Sequence, residues 1–396
     1  MYRSVAPGPW LRLTALAAAH GALLAVVSGT VGGGWHRAAS AIAVPPLVAL
    51  VVAAWVAHRS LLPSSVAALT LFGAAAAVTQ PVLHVALASA ALAACVVAAA
   101  QAFRGEPASS GPWRDYVTLT KPRIMSLLLI TGAGGMFVGA EGVPPLDDLA
   151  VLLVGLALAC GGASALNHVL DADIDRLMGK RTRARPVATG RVPASRALEF
   201  GLALSALSFV LLASLANVLT ATLALVGNLF YVLVYTRWLK RSTPQNIVIG
   251  GAAGAVPPLV GYAAATGNLA LPALLLFAIV FFWTPPHFWA LALLIRRDYE
   301  AARIPMLPVV RGERETTRQI LVYSLVLVGV TLLPVAWRTF GVVYLASAVA
   351  LGAWFLLLAW RLRAEPTPAK ASSLFHYSLA YLALLFVAMA VDPLLT

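Results

Sequence analysis

Long apolar runs follow one another along almost the whole chain, and no other feature of the sequence constrains the fold as strongly. A run of roughly 17–25 apolar residues is what an α-helix needs to cross a bilayer. Only 11% of the 396 residues are charged, 61% are hydrophobic and the mean hydropathy is +0.87. Too few polar side chains remain to cover a water-facing surface. The sequence therefore predicts an all-α, polytopic membrane protein.

Four of these runs form an N-terminal group, which we interpret as four transmembrane helices. They occupy approximately residues 10–32, 39–58, 64–80 and 83–103. A polar stretch from Arg104 to Arg123, rich in proline, serine and glycine, then has the composition of a linker. We therefore predict a domain boundary here, with an N-terminal transmembrane extension at 1–110 and a second domain at 111–396.

The second group contains about nine further runs of spanning length. They occupy approximately residues 124–140, 149–170, 197–215, 217–236, 247–265, 271–294, 317–337, 341–360 and 375–394. Lysine and arginine gather in every second loop, as at 176–196 and 296–318, whereas the opposite loops carry acids or almost no charge. Because cytoplasmic loops are the basic ones, this alternation orients the chain in a bacterial inner membrane. It also explains the net charge of +13 without a nucleic-acid partner.

The most informative polar stretch runs from Asn167 to Arg176, at the cytoplasmic end of a span. If one helix continues through it, Asn167, Asp171 and Asp175 fall on one face and Asp173 points elsewhere. Carboxylate and amide oxygens are ligands suited to Mg²⁺ bound to a diphosphate. Nearby basic residues, including Arg185, offer donors for phosphate oxygens. The alternative interpretation is a helix end that is merely paired with its own basic loop.

Two other cytoplasmic helix ends carry similar groups. Asp298 follows a later span, so that a second acidic site can face the same cavity, although a single loop acid is usually just solvated. Tyr235, Lys240 and Arg241 end the span between them and offer hydrogen-bond donors to a polyanion. The alternative for this end is an aromatic belt with positively charged flanks.

A third polar feature lies within an apolar span, at Trp283-Thr284-Pro285-Pro286-His287. Two adjacent prolines predict a break in the helix, which is tolerated only where protein or a cavity satisfies the freed carbonyls. An ionisable His287 at such a break indicates a site. The alternative is a structural kink with a hydrogen-bonded imidazole.

Together these segments resemble the protoheme IX farnesyltransferases, a branch of the UbiA superfamily. The resemblance extends from about Trp113 to the C-terminus. The strings that carry it are TKPR at 120–123, the motif Asn167-x3-Asp171-x3-Asp175 with Arg185-Pro186 after it, YTRWLKRSTPQNIVI at 235–249, GGAAGAVPPLVG at 250–261, FWTPPHFW at 282–289 and DYEAARIPMLP at 298–308.

This resemblance implies a nine-helix bundle that transfers a farnesyl group from farnesyl diphosphate to haem b, with Mg²⁺ as cofactor. Mg²⁺ would be held by Asn167, Asp171, Asp175 and Asp298. The negative charge of the leaving diphosphate would be shared by Arg185, Lys240 and Arg241, and Tyr235 would be a further catalytic residue. His287 and Trp289 would orient the haem.

The N-terminal extension lies outside this resemblance. Its strings WHRAAS at 35–40 and LHVAL at 83–87 resemble one four-helix half of haem A synthase, where such histidines ligate haem. His36 and His84 are therefore candidate haem ligands, and haem A synthase is a candidate downstream partner. The first span carries no acid and the extension has no second half, so the oxidase activity is not carried over.

Other functions remain open on the sequence alone. The nearest is a UbiA-type prenyltransferase that acts on a quinone precursor or another aromatic acceptor. A membrane transporter is the alternative of a different class, although transporters place their ionisable groups near the bilayer midplane. A structural partner of the respiratory oxidase is a third.

Overall fold

The computed structural model describes residues 9–31, 34–57, 61–77, 81–104, 112–336 and 340–395. Within these ranges the fold is all-α and contains no strand. The side chain of His36 lies outside the described residues, although its backbone belongs to the second helix. The predicted fold class is confirmed.

The helices follow the apolar runs of the sequence. In chain order they are α1 (Pro9–Val31), α2 (Gly34–Ala57), α3 (Leu62–Ala77), α4 (Pro81–Arg104), α5 (Trp113–Leu119), α6 (Pro122–Ala140), α7 (Leu146–Leu170), α8 (Ala172–Leu177), α9 (Lys180–Arg183), α10 (Ala194–Leu215), α11 (Val218–Leu229), a π-helical segment (Phe230–Leu239), α12 (Lys240–Ser242), α13 (Asn246–Thr266), α14 (Leu271–Leu294), α15 (Arg296–Ala301), α16 (Leu307–Val310), α17 (Gly312–Ala336), α18 (Val342–Ala364) and α19 (Pro368–Leu395).

Nine membrane-spanning candidates are present in the part of the chain that the structure describes, all of them after residue 121. They begin with α6 and end with α19, and the π-helical segment forms one span together with α11 and α12. The nine-span prediction is therefore confirmed, and the chain is a multi-pass membrane protein. Helices α1–α4 coincide with the four N-terminal runs.

The chain divides into two compact units. The first consists of residues 1–122, 154–169 and 186–225. In it α4 packs along α3 and α10, and α1 packs against α2 and α4. Its core is built largely from alanine and leucine, including the fully buried Ala15, Leu47 and Leu50. Small side chains let helix backbones approach closely, which is the usual source of helix packing in lipid.

The second unit consists of residues 123–153, 170–185 and 226–396. Here α14 packs against α13, α17 and α19, and α18 packs against α17 and α19. Glycines permit the closest approach, since a Cβ at Gly135 would overlap the carbonyl group of Pro258 and one at Gly261 would overlap that of Gly132. Helices α6 and α13 therefore touch backbone to backbone.

The predicted break at the double proline was wrong. Helix α14 runs without interruption from Leu271 to Leu294, with Pro285 and Pro286 inside it. Both prolines are buried, so neighbouring protein surrounds the turn whose hydrogen bonds they remove. Polar side chains on the same turn are satisfied as well: the Thr284 hydroxyl donates to the Val280 carbonyl at 2.9 Å and the Trp283 indole donates to the Ser378 carbonyl at 2.8 Å.

The start of α18 is capped from a distance. Asp392 is 1% exposed, and its carboxylate accepts hydrogen bonds from the backbone N–H groups of Gly341 at 2.5 Å and Tyr344 at 3.0 Å. These are N–H groups that a helix start leaves without intrahelical partners. Helix α19 thus supplies the N-terminal cap of α18.

Candidate active site

The acidic turn, Asp171–Asp175, directly follows α7. The prediction that Asn167, Asp171 and Asp175 share one face assumed a continuous helix. This assumption was wrong, because α7 ends at Leu170 and α8 begins at Ala172. Asp171 has φ −95° and ψ 2°, and its carbonyl accepts a hydrogen bond from the N–H group of Asp175 at 2.8 Å. The two faces still separate as expected: Asp171 and Asp175 are 0% exposed, whereas the Asp173 side chain is 66% exposed.

Each buried carboxylate of the acidic turn has its own cation. The Lys240 ammonium lies 2.5 Å from Oδ2 of Asp171, and the Arg185 guanidinium lies 2.7 Å from Oδ1 of Asp175. Burial raises the pKa of Asp175, and the charge of Arg185 opposes this shift. Oδ2 of Asp175 is buried and has no hydrogen-bond partner among the described residues. Such an oxygen is available to a cation or a donor that enters the site.

The exposed carboxylate of the turn serves a different contact. Arg241 donates to both oxygens of Asp173 at 2.7 Å and to the Leu170 carbonyl at 2.7 Å. The hydrogen bonds from Arg241 lower the pKa of Asp173 to about 2. Arg241 thus joins α12 to the C-terminus of α7, where a cation also complements the helix dipole.

The second acidic site is brought to the first. Asp298 lies in α15, and a Cβ at Gly179, just beyond α8, would overlap its carboxylate. The neighbouring Tyr299 is 5% exposed, and burial raises its pKa. Arg185 opposes this shift, while the charges of Asp171 and Asp298 reinforce it. The charges of both acidic sites therefore act on the Tyr299 phenol. The second unit thus brings together two carboxylate groups that are distant in sequence.

The π-helical segment carries Tyr231 and Tyr235 and leads directly into Lys240. Tyr231 and Tyr235 stack with ring centroids 5.5 Å apart. A π-helix closes i→i+5 hydrogen bonds, so each residue turns through less than the roughly 100° of an α-helix. As a result Lys240, five residues after Tyr235, stays near the same face instead of turning away. The hydropathy pattern gave no signal for this segment.

Asn167 is held by a residue that the sequence interpretation did not assign to the site. In the first unit, the Lys121 ammonium donates to Oδ1 of Asn167 at 2.8 Å, and Asn167 is 3% exposed. Lys121 has φ +51°, a conformation that few residues other than glycine adopt. The only sequence signal was its place in the TKPR string at 120–123.

His287 is packed between rings inside α14. Its imidazole stacks on Trp283 and Phe375 with centroid distances of 4.3 and 4.8 Å, and Nδ1 lies 2.6 Å from the Ser378 hydroxyl. Trp289 is 2% exposed, and its indole Nε1 has no hydrogen-bond partner among the described residues. The role of both residues in haem binding stays a prediction.

His84, the N-terminal candidate whose side chain is described, bonds to the backbone. Its Nδ1 lies 2.7 Å from the Ala75 carbonyl oxygen. Structural and metal-ligating histidines both make this type of hydrogen bond, which fixes the orientation of the ring. Haem ligation by His84 therefore stays a prediction, as does ligation by His36.

The carboxylates of the second unit fit a shared metal site better than a closed one. Across the described ranges, no group of three or more His, Cys, Asp or Glu side chains is arranged to hold an ion by itself. Mg²⁺ usually takes one or two protein carboxylates and completes its coordination with substrate phosphates and water. The buried oxygens of Asp171 and Asp175, with Asp298 brought beside α8, match that requirement.

A model of the UbiA prenyltransferase family matches residues 128–387, well over half of the chain. The chain therefore belongs to the UbiA prenyltransferase family and is an enzyme of the prenyltransferase class. Solved structures agree on the fold. Digeranylgeranylglyceryl phosphate synthase aligns with a TM-score of 0.60 at 18% identity, over 72% of this chain and 99% of its own. A UbiA homolog from Archaeoglobus fulgidus bound to DMAPP and Mg²⁺ aligns with a TM-score of 0.52 at 18% identity, over 70% and 99%.

Within the family, this chain is similar to curated protoheme IX farnesyltransferases. It is 53% identical to that of Gloeobacter violaceus over 74% of this chain and 96% of the relative. It is 54% identical to that of Symbiobacterium thermophilum over 70% and 94%. The protein of Roseiflexus sp. is 52% identical over 70% of this chain, but the match spans only about half, 52%, of that longer relative.

Proposed function

We propose that this chain transfers a farnesyl group from farnesyl diphosphate to a vinyl group of haem b and so makes haem O. The observation that carries this proposal is the identity of more than half the residues along nearly the whole length of relatives named protoheme IX farnesyltransferase. The acidic turn and its cations supply the chemistry that such a transfer needs.

The metal proposal rests on the donor set. Asp171, Asp175 and Asp298 offer carboxylate oxygens, and the sequence adds Asn167, one helical turn before Asp171. The Archaeoglobus fulgidus homolog, bound to DMAPP and Mg²⁺, supports a magnesium-dependent site in this fold. When bound, Mg²⁺ would neutralise the diphosphate and make it a better leaving group.

The basic side chains have two tasks in this proposal. Lys240 and Arg185 hold the buried carboxylates in place through contacts of 2.5 and 2.7 Å. Both side chains can also donate to phosphate oxygens as negative charge builds up on the leaving group. Arg241 fixes α12 to the end of α7, and Tyr235 adds a phenol from the π-helical segment, five residues before Lys240.

The bond changes balance without an oxidant. The allylic C–O bond of farnesyl diphosphate breaks and diphosphate leaves with the electron pair. The terminal carbon of a haem vinyl group forms the new C–C bond to the farnesyl carbon, which leaves positive charge on the carbon next to the porphyrin. Water adds there and loses a proton, which gives a hydroxyethylfarnesyl group. An apolar cavity must keep water from the farnesyl cation until the C–C bond forms.

In this proposal the haem lies beside the C-terminal half of α14. His287 and Trp289 would orient it, since both lie on this membrane helix, seven and five residues before its last residue, Leu294. The basic loops on the side of the acidic turn support its assignment to the cytoplasmic side of the inner membrane. Haem A synthase would then use the product.

The direct test uses membranes that contain only this protein as a source of the activity. We expect haem b, farnesyl diphosphate and Mg²⁺ to give a haem product heavier by one farnesyl group and one hydroxyl group, detected by mass spectrometry. EDTA should stop the reaction and added Mg²⁺ should restore it. Unchanged activity in EDTA would contradict the metal proposal. Prenylation of an aromatic acid in place of haem b would assign the chain to a different acceptor.

A further inference from the structure

The start of α13 contains a buried amide that the proposed mechanism does not use. Asn246 is 0% exposed, and neither Oδ1 nor Nδ2 has a hydrogen-bond partner among the described residues. Its backbone N–H donates to the Thr243 carbonyl at 3.2 Å, so the backbone is satisfied while the side chain is not. Burying an amide in this state costs free energy unless a ligand or water satisfies it.

The position of Asn246 favours an anion as that ligand. It is the first residue of α13, a helix of 21 residues, and the preceding Gln245 makes no side-chain cap. A helix start presents N–H groups without intrahelical partners and carries the positive end of the helix dipole. Together with the Nδ2 donor of Asn246, it forms a set of hydrogen-bond donors suited to phosphate oxygens.

Asn246 also lies on the face of α13 that meets the candidate active site. Gly250 follows it by four residues, so both lie on one helix face. A Cβ at Gly250 would overlap the ring of Tyr235, which shows that this face packs against the π-helical segment. That segment leads to Lys240, whose ammonium contacts Asp171 at 2.5 Å.

We propose that Asn246 is a binding residue for the diphosphate of the allylic substrate. Its Nδ2 donates to a non-bridging phosphate oxygen, beside the N–H groups at the start of α13, and Oδ1 accepts a hydrogen bond from water that accompanies the diphosphate. This inference rests on the proposed function for the existence of a diphosphate substrate. It adds a neutral donor to the charged groups that the sequence predicted.

The test compares Asn246→Leu with Asn228→Leu in the purified, full-length protein. Asn228 is also a buried asparagine, 6% exposed, and lies in the neighbouring α11. The probe is inorganic diphosphate with Mg²⁺, and the dissociation constant is measured by calorimetry. We expect Asn246→Leu to weaken binding by roughly 10-fold to 100-fold, the range for a lost hydrogen bond to a charged group. Asn228→Leu should leave it unchanged.

Thermal unfolding separates a binding role from a structural one. Leucine has nearly the shape of asparagine, so Asn246→Leu should raise the Tm by removing an unsatisfied buried amide. A lower Tm with unchanged diphosphate binding would show a purely structural amide and overturn the proposal. Weaker binding of haem b with unchanged diphosphate binding would also overturn it, because the ligand would then be a carboxylate of the acceptor.

The same experiment separates this inference from the proposed reaction. If the unaltered protein binds diphosphate with Mg²⁺ but does not prenylate haem b, the proposed acceptor is wrong and the Asn246 measurement still stands. If the unaltered protein does not bind diphosphate at all, both proposals fail.

Discussion

The hydroxyl groups of the N-terminal helices and the carboxylates of the acidic turn find their hydrogen-bond partners in different ways. In α1–α4 several hydroxyl groups bond to a carbonyl about one helical turn earlier: Thr14 donates to the Leu11 carbonyl, Ser65 to that of Leu61 and Ser89 to that of Val85. At the acidic turn the partners come from elsewhere in the chain, and Lys240 is 69 residues from Asp171.

This difference distinguishes helices α1–α4, which we call the scaffold, from the acidic turn of the candidate active site. A hydroxyl that bonds to its own helix needs no partner from outside and costs little to bury. A buried ion pair contributes little net stability, since the loss of hydration offsets much of the attraction. The charges of the acidic turn are therefore better explained by a ligand than by stability.

Neutralising the buried carboxylates should have the largest effect. We expect Asp171→Asn and Asp175→Asn each to lower the rate of prenyl transfer by at least roughly 100-fold, because each removes an oxygen charge from the proposed metal site. Asp173→Asn, the matched control on the same turn, should change it by less than about tenfold, since its exposed pair with Arg241 contributes little. Rates in membranes with equal amounts of inserted protein provide the measurement. Equal losses in all three variants would show that burial does not mark the site.

Removing one residue from the π-helical segment should have the next largest effect. Deleting the exposed Leu233 returns the segment towards α-helical hydrogen bonding and turns Lys240 away from Asp171. Moving Lys240 away from Asp171 should slow prenyl transfer by about 100-fold, because a misplaced group near the reacting atoms costs about that much. Leu233→Ala is the control and should stay active. A deletion variant that remains folded by circular dichroism and fully active would show that the wide turn has no role in the site.

Replacing His287 tests a residue outside the acidic turn, whose imidazole stacks on Trp283 and Phe375. We expect His287→Ala to weaken the apparent affinity for haem b by roughly tenfold, as for a loss of about 1.4 kcal/mol, with little change for farnesyl diphosphate. Ser378→Ala removes the hydrogen bond to Nδ1 while keeping the imidazole, and its effect should be smaller. An unchanged haem affinity in His287→Ala, together with a lower Tm, would assign the stacked imidazole to packing alone.

Removing the N-terminal helices should have a smaller effect on chemistry. Residues 111–396 expressed alone should keep farnesyl transfer to within about tenfold, a barrier change of less than about 1.4 kcal/mol. The packing of α4 on α10 would be replaced by lipid contacts, which are as apolar as leucine. Gln101→Ala in the full chain is the control, since it removes only the contacts of one side chain, with Glu199 at 3.4 Å and with the Ser64 hydroxyl at 2.9 Å. An inserted but inactive truncation would show that scaffold and site form one catalytic unit.

The histidines of the extension should affect spectra and leave transfer unchanged. If they bind haem, the purified protein will show a low-spin haem spectrum that His36→Ala and His84→Ala each remove. Farnesyl transfer should not change in either variant. His20→Ala is a control in α1, where His20 bonds to the Leu16 carbonyl at 2.8 Å. Absence of bound haem in the unaltered protein would leave His84 as a structural residue of the scaffold.

Some helix bounds could be predicted from the sequence because lipid imposes them, although α17 and α19 begin five and seven residues before their predicted runs. The run at 271–294 coincides with α14, and that at 247–265 lies within one residue of α13 at each end. The length of an apolar run reflects the thickness of the bilayer that the helix must cross, and it carries little information about packing. The same insensitivity explains the error at Pro285 and Pro286, since surrounding protein decides whether a helix continues.

The residues of the candidate site could be predicted from the sequence, but their ion pairs could be predicted only in part. Asp171 and Asp175 were recognisable because acids are rare at the end of an apolar run. The pairing of Lys240 with Asp171 and that of Arg241 with Asp173 depend on contacts across more than 60 residues, which no local period records. Asn246 was missed because a single asparagine in a polar loop gives no sign that it will be buried.

The cap on α18 has a consequence for how the protein is made. Asp392 is 48 residues beyond Tyr344, so α18 leaves the ribosome long before the carboxylate that satisfies its first N–H groups. Until then those groups need water or the translocation machinery as a partner. The two helices therefore gain most by entering the membrane together as a hairpin. A C-terminal fusion is best attached after Asp392, since a reporter placed before it would separate the helix from its cap.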